Sequence, residues 1–131
     1  HTSIFRAMAD AIQVSKLRKT LVAEEDDPLT PEEAFYLGTV GGGAFFGKAG
    51  AEHFGAAGSF APGYDFDALV IDDTNLAAPF GLSIRERLER VIYLSDDRNI
   101  VEKYVRGKSV FRQPAETTEG TDNTDKSQKF K

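Results

Sequence analysis

The 131-residue sequence contains no cysteine, no tryptophan and only two histidines, His1 and His53. The lack of cysteine excludes disulfides, thiol nucleophiles and cysteine-based zinc sites, and it is compatible with the reducing, cytoplasmic location that we expect. No apolar run approaches the roughly 18 residues of a membrane span, and no N-terminal segment has a signal-peptide pattern. We therefore expect no membrane partner.

Acidic residues outnumber basic ones, with 21 Asp and Glu against 16 Lys and Arg, so the net charge is −5. This balance argues against non-specific binding to nucleic acid. The hydrophobic fraction of 40% is ordinary for a globular protein, and the length suits one modest domain. The chain begins at His1 rather than at Met, directly at the start of a predicted helix, so we expect its N-terminus to be a cut.

Three helices are predicted from capping and periodicity. Thr2 or Ser3 caps the first, whose apolar residues recur at three- and four-residue spacing: Ile4, Phe5, Met8, Ala11 and Ile12. Thr30 and Glu33 form a capping box with Pro31 at the first helical position, which predicts a helix over 30–37. A second capping box, Ser83 with Glu86, predicts a helix over 84–94.

A Gly/Ala-rich region follows the second predicted helix. Gly41, Gly42 and Gly43, with Gly47 nearby, resemble a phosphate cradle only superficially, because no Lys-Ser/Thr follows and no strand precedes them. We predict helix termination or close backbone packing there, with one further turn over 44–46. Residues 51–58 echo residues 43–50 at four of eight positions, so we interpret 51–58 as a local insertion.

The second half of the chain has strand signals and a polar end. The run 67–72 is typical of a buried strand with polar ends. Residues 100–105 and 108–111 predict a hairpin around Arg106 and Gly107. From Gln113 the chain is polar and poor in apolar residues, so we predict a disordered tail over 113–131.

Three stretches carry a resemblance to a known family. LTPEEAFYL at 29–37 leads into GGGAFFG at 41–47, GSFAPGYDFDALVID occupies 58–72, and ERVIYLSDDRNI occupies 89–100. The middle stretch resembles amidohydrolases where the chain leaves the barrel for a small β-domain. The last stretch resembles bacterial guanine deaminases, and residues 1–19 resemble the helix after that family's eighth barrel strand. The chain thus looks like the C-terminal part of a guanine deaminase-like, metal-dependent amidohydrolase over about residues 1–112.

The resemblance implies an α/β fold class, as a C-terminal fragment of a (β/α)8 barrel with part of a small β-sandwich. Residues 1–58 would be the last helices of the barrel region with the Gly/Ala-rich insertion. Residues 59–112 would supply a strand, a helix and a hairpin of the small β-domain, and 113–131 the tail. Apolar helix faces that should pack on absent barrel strands lead us to expect self-association.

The chemistry that the resemblance implies is zinc-dependent hydrolysis of guanine, or a related purine, to xanthine and ammonia. The family's zinc ligands, a His-x-His pair, two later histidines and an aspartate, have no counterpart here. We therefore assign no catalytic, substrate-binding or metal-binding residue, and expect no zinc on this chain alone. Two alternatives stay open: a deaminase or chlorohydrolase acting on another aminated heterocycle, and a non-catalytic remnant or interaction fragment.

A few polar residues remain as weak site candidates. We interpret His1 as a terminal residue and His53, beside Glu52, as a surface histidine. The acidic pairs Asp72-Asp73 and the run 24–27 lack the spaced oxygen ligands of a calcium loop. Asp96-Asp97-Arg98-Asn99 is open between two interpretations: a structural turn, or a loop that edges the active site or an interface of the complete enzyme.

Overall fold

The computed structural model describes residues 3–48 and 56–114, which form four α-helices and one three-stranded sheet. The helices are α1 (Ile4–Leu21), α2 (Pro31–Tyr36), α3 (Gly42–Lys48) and α4 (Ile84–Leu94), and the strands are β1 (Ala68–Ile71), β2 (Ile100–Val105) and β3 (Lys108–Arg112). The α/β class is confirmed, and the sheet is antiparallel in the order β1-β2-β3. None of the described helices is long and apolar enough to cross a membrane.

Helix α1 carries the buried stripe that its spacing predicts, but the stripe is narrower. Phe5, Met8 and Ile12 are buried, whereas Ile4 is 49% exposed and Ala11 is exposed. The contacts of α1 with other helices are mainly to α2 and α4. Ser15 helps to fix the chain that leaves the helix, since its Oγ accepts a 2.9 Å hydrogen bond from the Leu29 amide.

The glycine run does not terminate a helix, and that part of the prediction is wrong. Residues Leu37–Gly41 form a π-helical turn that joins α2 directly to α3. The alternative interpretation, close backbone packing, is confirmed: a Cβ at Gly43 would clash with the Ala57 carbonyl, and one at Gly58 would lie 2.6 Å from the Thr39 oxygen. Residues 57 and 58 thus lie close to the helix backbone at Gly43 and Thr39. Residues 49–55, and with them most of the predicted insertion, lie outside the described residues.

The sheet pairs one distant strand with a local hairpin. Strand β1 pairs with β2 across α4, with Leu69 opposite Lys103, and β2 pairs with β3, with Lys103 opposite Phe111. The hairpin turn is the predicted one: Arg106 and Gly107 both have positive φ, of 49° and 75°, as a type I′ turn requires. The sheet therefore presents Leu69, Lys103 and Phe111 on a single face.

One core joins the helices to one end of the sheet. It contains Phe5, Met8, Ile12, Ala34, Leu76, Val91 and Ile92, and Ile71 and Ile100 pack on its margin from the sheet. Burial of each large core side chain contributes about 1.5–3 kcal/mol.

The predicted tail begins one residue too early. The Gln113 amide donates to the Val101 carbonyl at 2.9 Å, and its side-chain Nε2 donates to the carbonyls of Arg98 and Ile100 at 2.8 and 3.0 Å. Gln113 thus extends the pairing of β3 with β2. Residues 115–131 lie outside the described part of the chain, so the disorder predicted for them stays a prediction.

Candidate functional site

The segment 96–99, which the sequence left undecided, forms a capped 3-10 turn between α4 and β2. The Asp96 carboxylate accepts a 2.9 Å hydrogen bond from the Arg98 amide, and the Asn99 Oδ1 accepts one of 3.0 Å from the Asp96 amide. The two side chains thereby satisfy the backbone amides that a short helical turn leaves unpaired.

Asn99 also connects this turn to a distant loop. Its side chain is only 5% exposed, and its Nδ2 donates to the Asp72 carbonyl and to the Asn75 Oδ1, both at 2.7 Å. The Asp72 amide returns a 2.8 Å hydrogen bond to the Asn99 carbonyl. Every polar atom of the buried amide is therefore bonded, which is the pattern of a structural link between the end of β1 and the start of β2.

Ion pairs and hydrogen bonds stabilise the charged form of three carboxylates in this region, those of Asp72, Asp73 and Asp96. Arg98 binds both Asp96 carboxylate oxygens, at 3.1 and 3.0 Å from its Nε, and lowers the pKa of Asp96. Arg87 binds Asp73 through two hydrogen bonds of 2.7 and 3.0 Å and lowers its pKa. The backbone amide of Thr74 does the same for Asp72. These carboxylates are poor proton donors or acceptors at neutral pH, because their charge is already stabilised.

The turn borders a groove on the described part of the chain. This groove, of about 870 Å³, lies between the first three turns of α1 and the face of the sheet that carries Leu69, Lys103 and Phe111. Asp96 and Asp97 lie at its rim, and the core residues Phe5 and Ile92 contribute to its wall. We call it the α1–sheet groove. Its edges carry Arg6 and Asp10 as well, so neither sign of charge dominates there.

Those of the remaining sequence candidates that the structure describes do not assemble into a site. His1 and His53 lie outside the described residues. In the acidic run 24–27, two side chains form ion pairs with the basic last turn of α1. Asp26 binds Arg18 at 2.7 Å, and Asp27 lies 3.4 Å from Lys19. Within residues 3–48 and 56–114, no three His, Asp or Glu side chains come close enough to hold a metal ion.

Comparison with known proteins decides the family. The sequence model of the amidohydrolase family matches residues 1–110, most of the chain. The chain belongs to the amidohydrolase family. The members that it resembles are guanine deaminases: it is 36% identical over 114 residues to that of Dictyostelium discoideum and 34% identical over 116 residues to that of Homo sapiens. These matches cover 84% and 82% of this chain but 24% of either relative.

Solved structures of amidohydrolases agree with this assignment. The guanine deaminase from C. acetobutylicum with bound guanine superposes with a TM-score of 0.71 at 50% identity, over 83% of this chain and 24% of that one. The guanine deaminase of E. coli superposes with a TM-score of 0.65 at 27% identity, over 86% and 25%. The chain thus spans about a quarter of the length of the relatives that it matches.

Amidohydrolases are generally metal-dependent, but the described residues do not fit a zinc centre. The carboxylates near the α1–sheet groove come from Asp10, Asp96 and Asp97, and Asp96 is bound by Arg98. A zinc site needs three or four converging ligands, and no such group forms in the described ranges. We therefore attribute no step of the family's chemistry to these residues.

The sequence patterns did not reveal two features of this region. The groove depends on Ile4, Leu69 and Phe111 remaining half-exposed, although all three lie in apolar patterns typical of buried positions. The role of Asn99 depends on partners 24 and 27 residues away. The only local signal was the Asp96-to-Asn99 spacing, which matches a capping box with Asn in place of Glu or Gln.

Proposed function

We propose that this chain is the C-terminal part of a zinc-dependent guanine deaminase, which replaces the exocyclic amino group of guanine with oxygen from water and yields xanthine and ammonia. The observation that carries the proposal is the 50% identity and TM-score of 0.71 to an enzyme with guanine bound in its active site. At such identity over a whole quarter of an enzyme, conserved packing against the remaining fold is the natural expectation. The complete protein would then be a (β/α)8 barrel with a small β-sandwich.

Within that enzyme the described residues would have a supporting role. The helices would cover part of the barrel, and the Asn99 link would hold the strands of the small β-domain beside it. Zinc and the groups that activate water would come from the rest of the polypeptide. The cytoplasmic location and the purine specificity stay predictions of the same proposal.

A second candidate function, association without catalysis, is favoured by one observation: the described residues contain no group of metal ligands. Zinc binding and ammonia release from guanine distinguish these two functions. Both are measured on the purified 131-residue chain after equilibration with zinc and desalting, first alone and then with the remainder of a guanine deaminase added. We expect no stoichiometric zinc and no ammonia from guanine for the chain alone. Zinc-dependent turnover by the chain alone would contradict the supporting role. A complex with the remainder that holds zinc but releases no ammonia would favour association only.

A further inference from the structure

We draw no further inference here: the strongest candidate, the exposed apolar stripe of Val14, Leu17 and Leu21 on the face of α1 opposite its buried residues, is an unpartnered helix face, and nothing in the described part of the chain shows what covers it.

Discussion

Replacement of Asn99 by alanine tests whether the buried amide links the two loops as described. The substitution removes one hydrogen bond to the Asp96 amide and two from Nδ2 to the Asp72 carbonyl and the Asn75 side chain. Each contributes about 0.5–1.5 kcal/mol net, so Asn99→Ala should lower the free energy of unfolding by about 2–4 kcal/mol. For a domain of this size that corresponds to a melting temperature lower by roughly 8–30 °C, at about 4–8 °C per kcal/mol.

Two control variants separate the link from a simple loss of side-chain volume. Asn75→Ala removes only one of the three partners, at an exposed position, and should cost about 1 kcal/mol or less. Asn99→Asp keeps the size and the acceptor but turns the donor into a carboxylate that faces the Asp72 carbonyl. Such a buried carboxyl is more stable when protonated, so its pKa rises above the unfolded value and stability increases as the pH falls below 7.

Urea unfolding followed by circular dichroism, at protein concentrations where light scattering shows a monomer, measures all three variants. The buried amide of Asn99 has three hydrogen-bond partners, so its removal should lower the free energy of unfolding more than a substitution at the exposed Asn75. A loss of less than about 1 kcal/mol for Asn99→Ala, or a loss no larger than that for Asn75→Ala, would contradict this. The account is also wrong if Asn99→Asp is insensitive to pH.

Four further predictions use the same unfolding assay. Ser83→Ala removes the N-cap of α4 and should cost about 0.5–2 kcal/mol, with Ser83→Thr restoring most of it; equal losses for both variants would contradict a capping role. Gly43→Ala should destabilise through its clash with Ala57, and an unchanged or raised stability would contradict that close approach. Truncation after Gln113 should leave the melting temperature within a degree or two of that of the full chain, whereas truncation after Arg112 should lower it measurably. Equal melting temperatures for the two truncated chains would show that the Gln113 hydrogen bonds do not stabilise the fold. Stability should fall as the pH drops below about 4, because carboxylates such as Asp96 have folded pKa values below the unfolded ones and lose their partners on protonation; a chain equally stable at pH 3 and pH 7 would refute this.

The sequence revealed those elements whose causes are local. Both capping boxes, Thr30 with Glu33 and Ser83 with Glu86, form as predicted because the partners are three residues apart. The hairpin at Arg106 and Gly107 also forms as predicted, and both residues have the positive φ that the turn needs.

Long-range contacts account for the errors. Residues 56–58 lie against the helix at Gly43, where a side chain would clash with Ala57, and no local pattern encodes that approach. Gln113 belongs to the sheet because its side chain reaches carbonyls of Arg98 and Ile100, 15 and 13 residues earlier. The absence of an assigned catalytic residue followed from the resemblance. The groove could not be predicted, because it is lined by residues as far apart in the sequence as Ile4 and Phe111.

Substrate turnover by a full-length hybrid enzyme tests whether this chain can serve as the C-terminal part of a guanine deaminase. In it, residues 3–114 of this chain replace the matching quarter of the C. acetobutylicum guanine deaminase, and ammonia release is measured with guanine and, separately, with adenine. The account predicts a folded protein with stoichiometric zinc that converts guanine to xanthine and prefers guanine to adenine. A folded, zinc-loaded hybrid that leaves guanine unchanged would contradict it.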